Sequence, residues 1–222
     1  MSRMKRPCFV DQPAVEAESV GVTVAGELLL PPVSFSLDTG QGLAVIGMNG
    51  SGKTTLLRVL AGITVPTTGR ARVGGLSVNE SNPQFRRAVA GLIGYPLFAR
   101  DLTLHEQLTL VAVSWGATVR AGSERASWLL DEFGILRMRQ RFAHELSSGQ
   151  SQLFSLALTL ARPFDVLLLD EPEQRLDLER VELVSRLLRR LVDEGKTLVF
   201  ASHSRAMIDA LSDRTISVDQ AA

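Results

Sequence analysis

Along the 222 residues the apolar positions change spacing twice, from the alternation of strands to the three-to-four spacing of helices, then to a mixture of both. Residues 20–24 and 33–37 read as short strands, with Gly26 and the Pro31-Pro32 pair between them ruling out a helix. Residues 43–46 form an apolar run without polar alternation, the mark of a strand buried on both faces, and lead into a glycine-rich turn. Residues 53–61 then take a helical pattern closed by Gly62, and residues 70–73 with the Gly74-Gly75 turn extend the β-rich opening. The period lengthens over residues 103–113, where Leu104, Leu108 and Val111 share a face, and again over 124–133, ended by Gly134. Helices at 151–161, 178–194 and 204–211 alternate thereafter with strands at 166–169 and 197–200. That alternation predicts right-handed crossovers and a mostly parallel sheet, with functional groups at the strand carboxyl ends.

Composition narrows the class without changing the fold. A hydrophobic share of 45% and a charged share of 22% are those of a globular domain, so a disordered or low-complexity chain is excluded. Lys plus Arg equals Asp plus Glu at 24 each, leaving no net field to attract nucleic acid. The single cysteine, Cys8, forms no internal disulfide, which agrees with a reducing cytosol. Pro7, Asp11, Gln12 and Pro13 interrupt the basic start before a signal-peptide core can form, and no apolar run approaches the ~20 residues of a membrane helix. The expectation is a chain with no transmembrane segment of its own. Trp115 and Trp128 read as packing residues, and His105 and His144 as ordinary surface or helix-end residues.

Gly47-Met48-Asn49-Gly50-Ser51-Gly52-Lys53-Thr54, followed by Thr55, matches the phosphate-loop pattern G-x-x-x-x-G-K-[ST] between a buried strand and a helix. Glycines let the backbone N–H groups turn inward around an anion, and the helix N-terminus adds about half a positive charge. Lys53 is placed to reach β- and γ-phosphates, and the Thr54 hydroxyl to ligate Mg²⁺. A phosphate loop alone leaves kinases, GTPases, recombinase-like motors and transporter ATPases open. Downstream, Leu146-Ser147-Ser148-Gly149-Gln150 precedes a helix, and the apolar strand at 166–169 ends in Asp170-Glu171. A strand ending this way puts one carboxylate beside a metal and the next where it can orient or deprotonate water. Ala201-Ser202-His203-Ser204 closes another strand. Taken singly these have plainer readings: a solvated Asp-Glu turn, Ser147 as a helix cap, His203 as a loop histidine.

In this order and spacing the motifs resemble the ATP-binding-cassette family, from about residue 20 to residue 218. The resemblance implies an α/β fold: a P-loop NTPase core with a mostly parallel sheet, an N-terminal antiparallel β part and an inserted helical subdomain at about 95–150. The division implied is a tail at 1–17 and a nucleotide-binding domain at 18–222. It further implies that Leu146 to Gln150 act in trans as the signature capping the γ-phosphate held by a second nucleotide-binding domain. Asp170 matches the Mg²⁺-associated aspartate, Glu171 the catalytic glutamate, His203 the switch histidine, and Leu176-Asp177 the end of the loop crossing the dimer interface. The implied function is that of the ATP-hydrolysing subunit of a membrane transporter, with ATP and Mg²⁺ as ligands, a separate membrane-spanning partner, and a place on the cytoplasmic face.

Departures at seven positions qualify that picture. Val24 stands where the family stacks an aromatic on adenine, and Tyr95 where a glutamine touches Mg²⁺ and reports nucleotide state to the membrane partner. Ser148 replaces the first signature glycine, and Gln152 and Leu153 stand where arginines are common. Glu173 and Arg175 replace smaller residues in the interface loop. Two alternatives follow: a regulatory nucleotide-binding module with slow or no hydrolysis, and a soluble, non-transport ATPase of the same family. Members of the latter kind usually carry a tandem cassette, a coiled coil or zinc-binding cysteines.

Overall fold

The structure, a computed structural model, describes residues 12–219. Cys8, Phe9 and most of the expected tail lie outside the described residues. In chain order the elements are β1 (Val15–Val24), β2 (Glu27–Leu37), β3 (Gly42–Ile46), α1 (Lys53–Leu60), β4 (Thr68–Val73), β5 (Leu76–Ser77), α2 (Pro83–Ala88) and β6 (Val89–Leu92). They continue with α3 (Leu104–Ser114), α4 (Val119–Glu132), α5 (Ser148–Leu160), β7 (Val166–Asp170), α6 (Leu178–Asp193), β8 (Thr197–Ala201), α7 (Arg205–Leu211) and β9 (Arg214–Ser217).

Two sheets result. The first is antiparallel, in the order β2-β1-β4-β5; the second is parallel, in the order β6-β7-β8-β3-β9. Period two along the parallel strands divides their side chains between two cores. Leu43 and Val45, Val166 and Leu168, and Val199 and Ala201 face the antiparallel sheet and α1. Ala44, Leu167 and Leu169, and Leu198 and Phe200 face the core packed by α3, α4, α5, α6 and α7. Strands buried on both faces have no solvent side to mark with polar residues, which is why they appear in the sequence as unbroken apolar runs.

Several elements differ in extent from the sequence pattern. The first strand begins at Val15, inside the stretch expected as tail, where it pairs with Leu37 and Val73. The second expected strand starts earlier, at Glu27, and β2 runs through Pro31 and Pro32, because it is an edge strand and its register with β1 shifts between Leu30 and Val33, where the two prolines lie. Its hairpin with β1 turns at Ala25 and Gly26, with φ of 50° and 84°, the two-residue turn that matches strand twist. Helix α4 starts at Val119 rather than residue 124 because Thr118 caps it, and α5 starts at Ser148 rather than residue 151 because Ser147 does. The short α2, capped by Asn82 with Pro83 in its first turn, and the edge strand β9 carried no periodic signal.

The tryptophans pack at the periphery rather than in a cage. Arg162 lies 3.8 Å from the Trp115 ring centroid, and Arg125 4.4 Å from that of Trp128. His105 Nε2 lies 3.2 Å from both the Ser123 carbonyl and the Ser127 hydroxyl, and His144 stacks on Phe142.

Candidate functional site: a phosphate loop and the carboxyl ends of three strands

The ends of β3, β7 and β8 deliver the loop at 47–54, the pair Asp170-Glu171 and His203 to one edge of the parallel sheet. The loop at 47–54 is shaped by its backbone. Gly47, Gly50 and Gly52 have φ of 151°, 80° and 108°, in the region side chains avoid. A Cβ on Gly52 would come 2.6 Å from the Leu29 carbonyl, and one on Gly47 2.6 Å from Ser51 Oγ. The loop opens into α1, which has no side-chain cap and no acidic residue in its first turn, where Thr54 and Thr55 lie. Its N–H groups therefore remain available to an anion.

Two polar features of the loop fit phosphate. Lys53 is only 6% exposed, yet its Nζ donates to the neutral carbonyls of Gly47 and Met48 at 2.8 and 2.9 Å. A buried ammonium demands an anion for full compensation. Ser51 Oγ is buried without a hydrogen-bond partner among the described residues. Met48, Asn49 and Gly50 form the exposed outer rim. From the far end of the chain, Asp219 accepts the Met48 N–H through Oδ1 and the Ser217 hydroxyl through Oδ2, both at 2.7 Å. The Met48 N–H first, then Ser217 and the Lys53 charge, hold the Asp219 carboxyl below the ordinary carboxylate range.

The Thr54 hydroxyl donates to Asp170 Oδ2 at 2.7 Å, joining two residues 116 positions apart. Hard oxygen donors of this kind suit Mg²⁺, which takes one or two protein ligands and fills its shell with water and phosphate oxygens. Glu171 follows with φ of 47°, a left-handed conformation that carries strain in a non-glycine residue. Its N–H donates to the Ala201 carbonyl at 2.9 Å, which locks the end of β7 to β8. Its Oε1 lies 3.6 Å from His203 Nε2, and its Oε2 accepts from Gln174 Nε2 at 3.2 Å. Both sides of the Glu171–His203 pair are partly open to solvent.

Sequence reasoning did not find the ties of the loop at 171–177. Glu173 Oε1 accepts the Ser202 hydroxyl and the N–H groups of His203 and Ser204, the last two at 3.0 and 3.2 Å. Its Oε2 is buried without a hydrogen-bond partner among the described residues. Gln152, 4% exposed, donates to the Pro172 carbonyl at 3.1 Å. Tyr95 joins through Gln174 and Arg175. The only advance signal was that these positions depart from the family pattern.

The predicted signature lies at the N-terminus of α5, with Leu146 and Ser147 outside the helix and Ser148, Gly149 and Gln150 within it. Ser147 and Gln150 form a reciprocal capping box, so Ser147 is a helix cap as well as a candidate ligand. A Cβ on Gly149 would come 2.9 Å from the Arg175 carbonyl, so this glycine lets α5 approach the interface loop. Asp177 caps α6 through the Arg180 N–H at 2.9 Å. Among the described residues, no hydrogen bond or ion pair joins 146–150 to 47–55, whereas Thr54 meets Asp170 and Glu171 faces His203. Val24 ends β1 and is 54% exposed.

A family model described as ABC transporter matches residues 30–174. The chain belongs to the ABC transporter family. The sulfate/thiosulfate import ATP-binding protein CysA of Mesorhizobium japonicum is 35% identical, covering 86% of this chain and 56% of that protein. Octopine permease ATP-binding protein P of Rhizobium radiobacter is 29% identical, covering 94% of this chain and 86% of that protein. The chain spans about 37% of the length of a Bacillus anthracis relative that is 31% identical, and 85% of a Brucella suis relative that is 33% identical. The ABC fold is seen in solved structures too. A structure titled as the ATP binding subunit of an ABC transporter superposes with a TM-score of 0.82 at 24% identity, covering 92% of this chain and 85% of that one. A dimeric ATP-binding cassette, MJ0796, bound to ADP and Pi, also reaches 0.82, at 23% identity and 92% and 94% coverage.

Proposed function

We propose that this chain binds MgATP at residues 47–55 and hydrolyses it in a sandwich of two such domains, driving a separate membrane-spanning partner from the cytoplasmic face. The observation that carries this reading is the Thr54–Asp170 hydrogen bond beside the buried Lys53, with Glu171 next in the chain. The loop N–H groups, the start of α1 and Lys53 hold the phosphates; Thr54 and Asp170 are the protein ligands for Mg²⁺. When bound, that ion supplies positive charge against the phosphate oxygens. Glu171 orients and deprotonates the attacking water, and His203 faces the same carboxylate from β8. The N-terminus of α5 in a second copy, residues 146–150, presents its positive end to the γ-phosphate in trans.

Support for the partner comes from relatives named as permease and import ATP-binding proteins, and from the lack of any described helix long and apolar enough to cross a membrane. In this reading the nucleotide-binding unit expected from residue 18 begins with β1 at Val15, and the helical segment at about 95–150 meets the membrane chain. The test is Glu171→Gln in the partnered complex: ATP binding persists and turnover falls ~10²- to 10⁴-fold. Turnover within about twofold of the parent would remove Glu171 from this role. Tyr95 and Val24 favour a second reading, a nucleotide clamp with slow turnover. A parent complex that retains ATP unhydrolysed, indistinguishable from its Glu171→Gln form, would decide for the clamp.

A further inference from the structure

Tyr95 is the only tyrosine of the chain, 52% exposed in the loop between β6 and the helical segment. Its hydroxyl is hydrogen-bonded to Gln174 Oε1, while Gln174 Nε2 donates to Glu171 Oε2 at 3.2 Å. Chemistry sets the direction of this relay. An ionised carboxylate only accepts, so the amide turns its NH₂ group to Glu171 and its oxygen to the phenol, which donates. The spacing between the two loop residues is fixed by a turn, with the Gln174 N–H on the Glu171 carbonyl at 3.0 Å. From outside, the Arg175 guanidinium lies 4.3 Å from the centroid of the Tyr95 ring and holds the ring over the loop.

The carboxylate of Glu171 has little else to orient it. His203 Nε2, at 3.6 Å, is beyond good hydrogen-bond length, so the contact from Gln174 is the hydrogen bond its side chain makes among the described residues. We propose that Tyr95 is a positioning residue for Glu171, acting through Gln174, and ties that carboxylate to the segment leading into α3. The proposal rests on Glu171 being the residue that orients the attacking water. In place of an amide near the metal, this chain approaches the water side of the reaction from the same loop. Movement of the helical segment that withdraws Tyr95 releases Gln174 and leaves Glu171 less well aimed.

The test uses the full chain with Tyr95→Phe, Gln174→Leu, the double variant, Glu171→Gln and Glu171→Ala. Tyr95→Phe is expected to lower kcat about fivefold, as loss of a neutral hydrogen bond does, and Gln174→Leu, which removes the bond to the carboxylate itself, at least as much, while KM for MgATP stays within about twofold. The double variant is expected to be no slower than the slower single, because both cut one relay. A readout independent of turnover comes from ¹³Cζ-tyrosine labelling, which yields a single resonance. That resonance is expected to move in both Gln174→Leu and Glu171→Ala. Two active single variants beside an inactive Glu171→Gln would overturn the proposal and leave Glu171 in its role. Additive losses in the double variant, or a resonance unmoved by Glu171→Ala, would make Tyr95 a packing residue and overturn it equally. Glu171→Gln within about twofold of the parent would remove the reading beneath the proposal, and the proposal with it.

Discussion

The loops at 47–54 and 171–177 both leave the carboxyl end of a buried strand, yet they are held in opposite ways. The first takes its shape from glycine backbone and ends in an uncapped helix, with Lys53 and Ser51 left under-compensated inside it. The second places two non-glycine residues, Glu171 and Arg175, at φ of 47° and 66°, and contacts from three other parts of the chain, at Tyr95, Gln152 and 201–204, hold it there. Surplus polar groups suit a loop that closes on an anion from outside. Contacts reaching in from several elements suit a loop that must keep one carboxylate aimed, because strain of this kind persists only where surrounding structure over-determines it.

Replacing Lys53 breaks the comparison most directly. Lys53→Ala is expected to weaken MgATP binding roughly 100-fold, the loss of charge-assisted hydrogen bonds to phosphate, in a titration with a fluorescent ATP analogue. Its thermal midpoint stays the same or rises, because burying an ammonium against neutral carbonyls is unfavourable without nucleotide. A loss below about threefold in affinity would show that the loop holds no phosphate.

Glu173→Ala probes the second loop and is expected to do the reverse. It strips one acceptor from Ser202, His203 and Ser204, which costs about 1–3 kcal/mol and lowers the unfolding midpoint by about 3–10 °C. Nucleotide affinity stays within about twofold while turnover drops. Glu173→Gln, which keeps an amide oxygen, recovers part of both. Equal loss of affinity in the two alanine variants would erase the distinction between a binding loop and an aiming loop.

The smallest effect sharpens the boundary between them. Asp219 ties the rim of the phosphate loop to the end of β9, and its carboxyl is held below the usual range by the Met48 N–H, Ser217 and Lys53. A carboxyl whose folded pKa is depressed stabilises the fold above its unfolded value, about 3.9, and loses that contribution as pH falls through the folded value. The gap in midpoint between the parent and Asp219→Asn is therefore expected to be small but constant near neutrality, and to close below about pH 4. A gap that widens on acidification would mean that Asp219 is not stabilised as the anion.

How much of this was legible depends on sequence distance. The phosphate loop, the Asp-Glu strand end and the buried parallel strands were all readable, because dihedral preferences and apolar period are set by neighbours in the chain. Even where the extent of an element was misjudged, as at Thr118 and Ser147, the deciding cap was local. The Tyr95–Gln174 bond spans 79 positions, the Glu173–His203 bond 30 and the Asp219–Met48 bond 171. None has a periodic signature. They exist because the order β6-β7-β8-β3-β9 puts strands far apart in the chain side by side and gathers their carboxyl ends. The sequence by itself determined the fold class and the glycine-rich loop that opens into α1, since both rest on backbone conformation and local chemistry. Only the tertiary structure decided what steers Glu171, since a side chain is aimed by whichever neighbours the strand order brings within hydrogen-bond reach.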